Sequence, residues 1–390
     1  MQRIVFLNSH PIQYFAPLYF QIAKDPAIFL QVFYCSNETL KGSSDVQFGV
    51  TVKWDIPLLE GYDYKFINNA SFKPSISNGF WGLLNWDIIS ILRKQPKSIV
   101  IVHGWSYATN IITIIAAKIF GHTVCLRGET PLNQELQKNK CITLLKHLYL
   151  RCIFLFTDYA LYIGKQNKLF YQYLGFEDLK LFFIPYCVDN VRFSAYDLSS
   201  TKSLVREKLE LPADKKIILF SGKYIDKKRP MDLLNAIHQL NRSDIYTIFV
   251  GDGNLRTQME SFIINNGIQQ NVLLAGFINQ SIIPYYYAAA DVFVMCSGIG
   301  ETWGLSVNEA MNFNIPIIVS ETCGSSFDLV KNGINGFTFK EGDIDALSDK
   351  ISKSLTFNTD DINNLKDCNK SILKEYSYET IITNLKKIPI

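Results

Sequence analysis

Short apolar runs rich in β-branched and aromatic residues alternate along this chain with longer stretches of helical periodicity. In the first half the runs are Arg3–Leu7, Leu30–Tyr34, Ser98–Val102, Thr123–Leu126, Tyr159–Ile163 and Leu181–Ile184. In the second half they are Lys216–Phe220, Tyr246–Val250, Val272–Ala275, Val292–Met295 and Ile315–Val319. Strands that are apolar along most of their length, set between amphipathic helices, belong to parallel sheets covered on both faces. The pattern occurs twice, so the sequence predicts an α/β protein of two Rossmann-like, doubly wound parallel-sheet domains. A seam is expected after IPYCVDNVRF, where Asp197–Lys208 is polar and carries Ser199, Ser200 and Ser203. The expected division is 1–195, 196–370 and a last segment, 371–390, whose helical pattern from Tyr376 onward suits packing back on the first domain.

Two helical patterns raise the question of a membrane. Ile111–Phe120 has about half the apolar length that spans a bilayer. Lys118 interrupts it, so it is expected to lie buried against a sheet. Gln137–Cys152 is amphipathic, with Lys138, Lys140, Lys146 and Arg151. It either buries its leucine face in its own domain or lies on an anionic membrane surface.

Composition narrows the function classes. A chain of 390 residues suits two domains, and 48% hydrophobic with 19% charged residues reads as globular. A formal net charge of +3 is too small to imply a nucleic-acid partner. The opening MQRIVFLNSHPIQYF lacks the apolar core of a signal peptide. The eight cysteines show no metal-ligand spacing and read as thiols in a reducing compartment. The expected location is therefore the cytoplasm, at the inner face of the membrane if 137–152 docks there. The first strand is followed by Asn8-Ser9-His10-Pro11 rather than a G-x-G-x-x-G, and no P-loop occurs. That argues against a dinucleotide cofactor and excludes a P-loop nucleotide site.

The stretch Gly300–Phe339 carries the most chemistry. A strand ends at Met295, a loop follows through Gly298 and Gly300, and Gly304 precedes a helix bearing Leu305, Val307, Ala310 and Met311. Helix starts at the carboxyl edge of a parallel sheet bind phosphate, because their N–H groups lack internal partners. Glu301 and Glu309 bracket this start. Two carboxylates suit the hydroxyls of a sugar and a ribose; alternatively Glu301 is a helix-start residue and Glu309 a solvated helix residue. Positive charge comes from Gly222-Lys223 and Lys228, at the end of the strand Lys216–Phe220, and suits a diphosphate. Lys227 and Arg229 read equally well as a solvated basic turn. Gly253 ends another strand, either as a tight turn or at the ligand, and Phe277-Ile278 ends the next, where backbone groups suit a nucleobase edge. In the first half His103 and Arg127-Gly128-Glu129 end strands; a lone histidine there is structural or catalytic. Asp343-Ile344-Asp345 has the spacing of metal-dependent sugar transferases, but Asp343 opens a helix and reads as its N-cap. No metal is expected.

Taken together, these residues resemble the retaining glycosyltransferases of family 4, which have the GT-B fold, two such domains facing a central cleft. The blocks that carry the resemblance are ETWGLSVNEAM, GKYIDKKRP and GSSFDLVKNGINGF in the second domain. SHPIQYFAPLY and WDIPLLEGY look like a bacterial subgroup. The resemblance implies that Glu301 holds sugar hydroxyls, Glu309 the ribose, and the backbone of Gly304 and Leu305 the phosphates. It implies that Lys223 and Lys228 steady the departing diphosphate, and that His103 lies at the sugar. Lys223 replaces the usual Arg, Trp303 the usual Phe, and Asn314 a common Gly. The first strand lacks the Gly-Gly loop of the acceptor side, which leaves His10 without an assigned role. The implied reaction moves a sugar from a nucleotide-diphosphate sugar, a co-substrate rather than a cofactor, to a glycan or lipid-linked glycan. A sugar-nucleotide epimerase and a silent nucleotide-sugar-binding protein are the competing readings.

Overall fold

The computed structural model describes residues 1–45, 50–195 and 202–390. Its strands in chain order are β1 (Gln2–Asn8), β2 (Ile28–Tyr34), β3 (Ser43–Asp45), β4 (Val50–Val52), β5 (Tyr64–Phe66), β6 (Ile99–His103), β7 (Thr123–Arg127), β8 (Tyr159–Tyr162) and β9 (Leu181–Phe183). They continue with β10 (Lys216–Ser221), β11 (Ile245–Val250), β12 (Val272–Gly276), β13 (Val292–Met295), β14 (Ile317–Ser320) and β15 (Gly336–Phe339). One sheet has the order β5-β2-β1-β6-β7-β8-β9 and another β12-β11-β10-β13-β14-β15, each parallel throughout. Counted within its own sheet, each order starts three-two-one-four, so each is doubly wound with a switch point beside its first strand.

The chain divides into two compact units: Met1–Ser43, Ile56–Tyr186 and Ser377–Ile390 form the first, Ser44–Asp55 and Cys187–Tyr376 the second. The division falls after Tyr186 rather than at 195. The reason is packing: Phe193 is fully buried, edge-on to Tyr287 and Phe313. Arg192 donates to the backbone and side-chain oxygens of Gln280 at 2.7 and 2.6 Å. Residues 196–201, part of the expected seam, lie outside the described residues. Helix Thr359–Glu375 stays in the second unit, where Asn369 donates to the Met311 carbonyl at 3.1 Å. Helix Tyr378–Leu385 belongs to the first: Gln2 reaches the Ile388 carbonyl at 2.9 Å and Asn384 the Phe183 carbonyl at 2.9 Å.

Each unit has its own core. In the first, Val5, Leu7, Val100, Val102, Val124 and Leu126 of the sheet pack with Ile114, Ala117, Leu150 and Ile153 of helices. In the second, Ile218, Phe220, Phe249, Val292, Val294 and Ile318 meet Leu233, Leu234, Ile237, Leu347 and Ile351. Strands β3, β4, β5 and β15 are not evident in the hydrophobic pattern. β5 is a three-residue edge with Tyr64 and Lys65 exposed, so it lacks an apolar run. β15 starts at Gly336, where a Cβ would lie 1.8 Å from the Ile317 carbonyl oxygen. Close backbone approach, not side-chain patterning, defines it.

Helix Ala108–Ile119 buries Ile114, Ala116 and Ala117 against the first sheet, as its length implied. Among the described residues no helix is long and apolar enough to cross a membrane. Helix Lys140–Phe154 buries Leu150 but not its other leucines: Leu144 and Leu145 are 70% exposed and Leu148 is 62% exposed. Of the two readings of this helix, the one in which the leucine face packs into its own domain thus holds for Leu150 alone.

Candidate active site

In the second unit the switch point lies between β10 and β13. β10 runs into Gly222 and Lys223, and the Gly222 amide donates to the Val250 carbonyl at 3.0 Å. A single helical turn, Asp226–Lys228, follows. Arg229 then adopts a left-handed conformation, φ 51°, and Pro230 opens helix Pro230–Leu240. Arg229 is spent on the fold: its guanidinium holds Asp232 at 2.6 Å and Glu341 at 3.4 Å. That removes it from the site chemistry and leaves the three lysines before it.

β13 runs on into Cys296 and Ser297, and the loop that follows brings Glu301 to Lys228. Their side chains form an ion pair, 17% exposed for the lysine and 10% for the glutamate. Lys227 reaches the Gly300 carbonyl at 3.3 Å. Burial pushes the Glu301 carboxyl up, but the charges of Lys228 and Lys227 and hydrogen bonds from Lys228 and Ser297 outweigh it, so its pKa is lowered. The Lys227 ammonium is also lowered, by burial first, with Glu301 opposing and Lys228 and Lys223 adding repulsion. Two lysines thus gather around one carboxylate that stays charged at neutral pH, with Lys223 near enough to repel Lys227.

The loop is rigidly placed. The Gly298 amide donates to the Lys227 carbonyl at 2.9 Å, the Gly324 amide to the Glu301 carbonyl at 3.2 Å, and the Ser325 amide to the Trp303 carbonyl at 3.1 Å. Gly304 has φ 93°, and a Cβ there would meet the Met295 sulfur at 2.5 Å; only glycine meets both demands. Helix Leu305–Met311 starts immediately after, and is seven residues long. Trp303 is buried, stacks on Tyr376 at 5.5 Å and donates its indole N–H to Asn308 at 2.8 Å. The larger ring in place of Phe is therefore accommodated with its polar atom satisfied. Glu309 is 2% exposed and accepts from the Tyr287 hydroxyl at 2.7 Å, so it is not a solvated helix residue. Asn314 takes a left-handed conformation, φ 52°.

The remaining strand ends have local reasons for their residues. A Cβ on Gly253 would lie 2.4 Å from the Tyr224 carbonyl oxygen, and one on Gly251 would lie 1.9 Å from that of Gly222. Both glycines let the β11 loop press on the β10 loop. Phe277 and Ile278 are half-buried after β12, with Trp54 6.0 Å from Phe277, ring centre to ring centre. Asn279 donates to the Lys53 carbonyl at 2.7 Å, and Ser281 bonds Asp55, so the strap at Lys53–Asp55 is fastened beside Phe277. Periodicity alone does not single out Ser297, Tyr287, Asn308 or Trp54. Ser297 is reachable by position, as a polar residue in the loop after a strand; Trp54 is not, because it comes from a distant part of the chain.

The first unit has a matching crevice between β1 and β6. His103 ends β6 with Phe15 edge-on at 4.7 Å and Phe6 at 5.7 Å. Its Nε2 is buried with no hydrogen-bond partner, and burial together with the Arg127 charge holds its pKa well below 6.5. Arg127, buried, lies over the rings of Tyr186 and Phe15 and 3.4 Å from Glu129, which also binds the Tyr186 hydroxyl. His10 accepts or donates at 2.9 Å with Ser9, and burial lowers it to about 4 against the pull of Glu38.

Asp343 accepts from the Ala346 amide at 2.9 Å as an N-cap, and Asp345 accepts from Gln239 at 2.6 Å. The two carboxylates of the D-x-D are thus engaged in separate local bonds.

Two Rossmann-order domains in one chain are the architecture of the GT-B class of glycosyltransferases. Residues 201–371 match the family described as Glycosyl transferases group 1. The chain is 27% identical over 180 residues to the uncharacterized glycosyltransferase MJ1607 of Methanocaldococcus jannaschii, 45% of each chain. It is 27% identical over 154 residues to the lipopolysaccharide core biosynthesis glycosyltransferase LpsE of Rhizobium meliloti, 40% of this chain and 44% of that one. The aligned stretch is less than half of either relative. Across 99% of both chains the fold follows that of HepE from Anabaena, solved in complex with UDP and glucose, with a TM-score of 0.74 at 17% identity.

Proposed function

We propose that this protein is a retaining glycosyltransferase of family 4. It moves a sugar from a nucleotide-diphosphate sugar to a glycan or lipid-linked glycan acceptor, in the cytoplasm, during synthesis of a bacterial surface polysaccharide. One observation carries the reading: the Lys228–Glu301 pair, with Lys223 and Lys227 close by, at the switch point of the second sheet. Ligands of doubly wound sheets bind at that crevice. An entering diphosphate offers Lys228 a doubly charged partner and releases the Glu301 carboxylate, an acceptor-only group, to sugar hydroxyls. Glu309, oriented by Tyr287, takes the ribose. The backbone at Gly304 and Leu305 meets the phosphates, beside Gly222, Gly253 and Trp303, and Phe277 and Ile278 take the base. His103, neutral at physiological pH, exchanges a hydrogen bond with a sugar hydroxyl.

In the reaction the bond between the anomeric carbon and the phosphate oxygen breaks, and the acceptor oxygen bonds to the same face of that carbon. The acceptor's proton passes to the departing phosphate oxygen. Lys223 and Lys228 neutralise the charge growing on the leaving diphosphate, where each 1.36 kcal/mol is tenfold in rate. No metal takes part. The names of LpsE and HepE, a lipopolysaccharide-core enzyme and a UDP and glucose complex, support the direction of this reading. The test is a panel of UDP-, GDP- and ADP-sugars with glycan acceptors. One donor should raise the melting temperature and give a glycosidic product that keeps the donor's anomeric configuration. A changed sugar nucleotide formed without acceptor would point to an epimerase, and binding without product to a silent protein.

A further inference from the structure

We infer that the outward face of helix Lys140–Phe154 is a docking surface for an anionic lipid bilayer. The middle of the helix turns polar groups inward. Its inward polar groups are spent on Glu135, which is fully buried: Lys146 binds both carboxylate oxygens at 2.7 and 2.8 Å, and His147 approaches at 3.3 Å. Lys138 joins the same carboxylate at 2.8 Å from the preceding turn. Leu150 and Ile153 enter the core. This anchoring fixes the rotation of the helix and turns Leu144, Leu145 and Leu148 outward at 62–70% exposure, with Leu155 at 79% just beyond its end. These positions recur at spacings of three, four and seven, so they form one stripe. The ion pair of Lys118 with Asp158 ties the end of helix Ala108–Ile119 to the turn that follows, and that end carries Ile119, 70% exposed.

Charge decides the occupant. From Leu136 to Thr157 the sequence has no Asp or Glu, while Lys138, Lys146 and Arg151 fall within it. Arg151 lies exposed on the outer side of the helix. A second copy of the chain, packed face to face, would bring cation against cation with no carboxylate between. An anionic membrane surface supplies both what the leucines need and what the arginine needs. The side chains of Lys140 and Ile142 lie outside the described residues. The inference does not depend on the transferase reading.

The experiment is flotation of the 390-residue chain with vesicles of phosphatidylcholine alone and of phosphatidylcholine with phosphatidylglycerol. The wild type should float with the anionic vesicles, less so at high salt, and sediment as a monomer in their absence. The double substitution Leu144→Glu and Leu148→Glu should lower vesicle affinity about tenfold or more. Because both positions face solvent, its melting temperature should match the wild type. Arg151→Glu should weaken binding to anionic vesicles only. Wild-type protein that stays unbound, or a double variant that floats equally, overturns the inference. A dimer dissolved by the leucine substitutions overturns it as well, in favour of a second copy.

Discussion

Lys228 and Glu301 are each other's main partner, and removal of either leaves a charge with too little water to stabilise it. Lys228 is also the group proposed to meet the charge that develops on the leaving diphosphate. Lys228→Ala should therefore lower kcat by about 10²–10³-fold, with a smaller loss of donor affinity. Initial rates and calorimetry on the same preparation separate the two, and equal losses would reduce Lys228 to a binding group. His10 gives a pH prediction with a definite sign. Its pKa is about 4 in the folded chain, below the ordinary 6.5, so the unfolded chain takes up the proton first as pH falls. Its share of stability is full above pH 6.5 and is lost on descent toward about 4. His10→Asn should make the fall in urea midpoint over that window shallower; an unchanged slope would remove His10 as a source. His103 is shifted in the same direction, so part of the slope should remain. Much of this was readable from the residues. The ETWGL and KKRP blocks bring Glu301 and Lys228 within contact, and spacing along the chain is enough to see them as candidates. Glu135 was not readable, because a buried carboxylate looks the same in sequence as an exposed one until its lysines are placed.

Among the elements, strands with continuous apolar runs were legible and those defined by backbone approach were not. β10 and β13 lie where the hydrophobic pattern puts them, whereas β15 owes its place to Gly336 against Ile317. Helix direction is the harder matter. Periodicity locates the stripe of Leu144, Leu145 and Leu148 but does not say which way it turns, and the buried Glu135 decides that. Helix Ile344–Leu355 is the opposite case, since a cap motif names its start directly. Asp343→Ala should cost about 1 kcal/mol of stability in denaturant titrations. It should leave transfer activity unchanged, with or without EDTA. A collapse of activity on substitution or chelation would restore the D-x-D to a metal role.

At the scale of the molecule, two sheets that start in the same strand order place two crevices in the chain, one beside His103 and one beside Lys228. The return of Ser377–Ile390 to the first unit rests on Gln2, Asp25 and Phe183, which bond Ile388, Lys386 and Asn384. Deleting 377–390 removes the buried side chains Ile381, Leu385 and Ile388 and uncovers the surface they pack against. It should destabilise the first unit by several kcal/mol, at about 1.5–3 kcal/mol for each large apolar side chain whose burial is lost. Hydrogen exchange should then rise in β1 and β9 while β10 and β13 stay protected. Uniform loss of protection would mean that the two units unfold together.

That return has a consequence for how the protein comes into being. A ribosome delivers Ser377–Ile390 only after every residue of the second unit has emerged. The half of the molecule synthesised first is therefore completed last, and until then β1 and β9 wait with an apolar flank uncovered. Nascent chains stalled before residue 377 should hold chaperones at that flank longer than chains released after it.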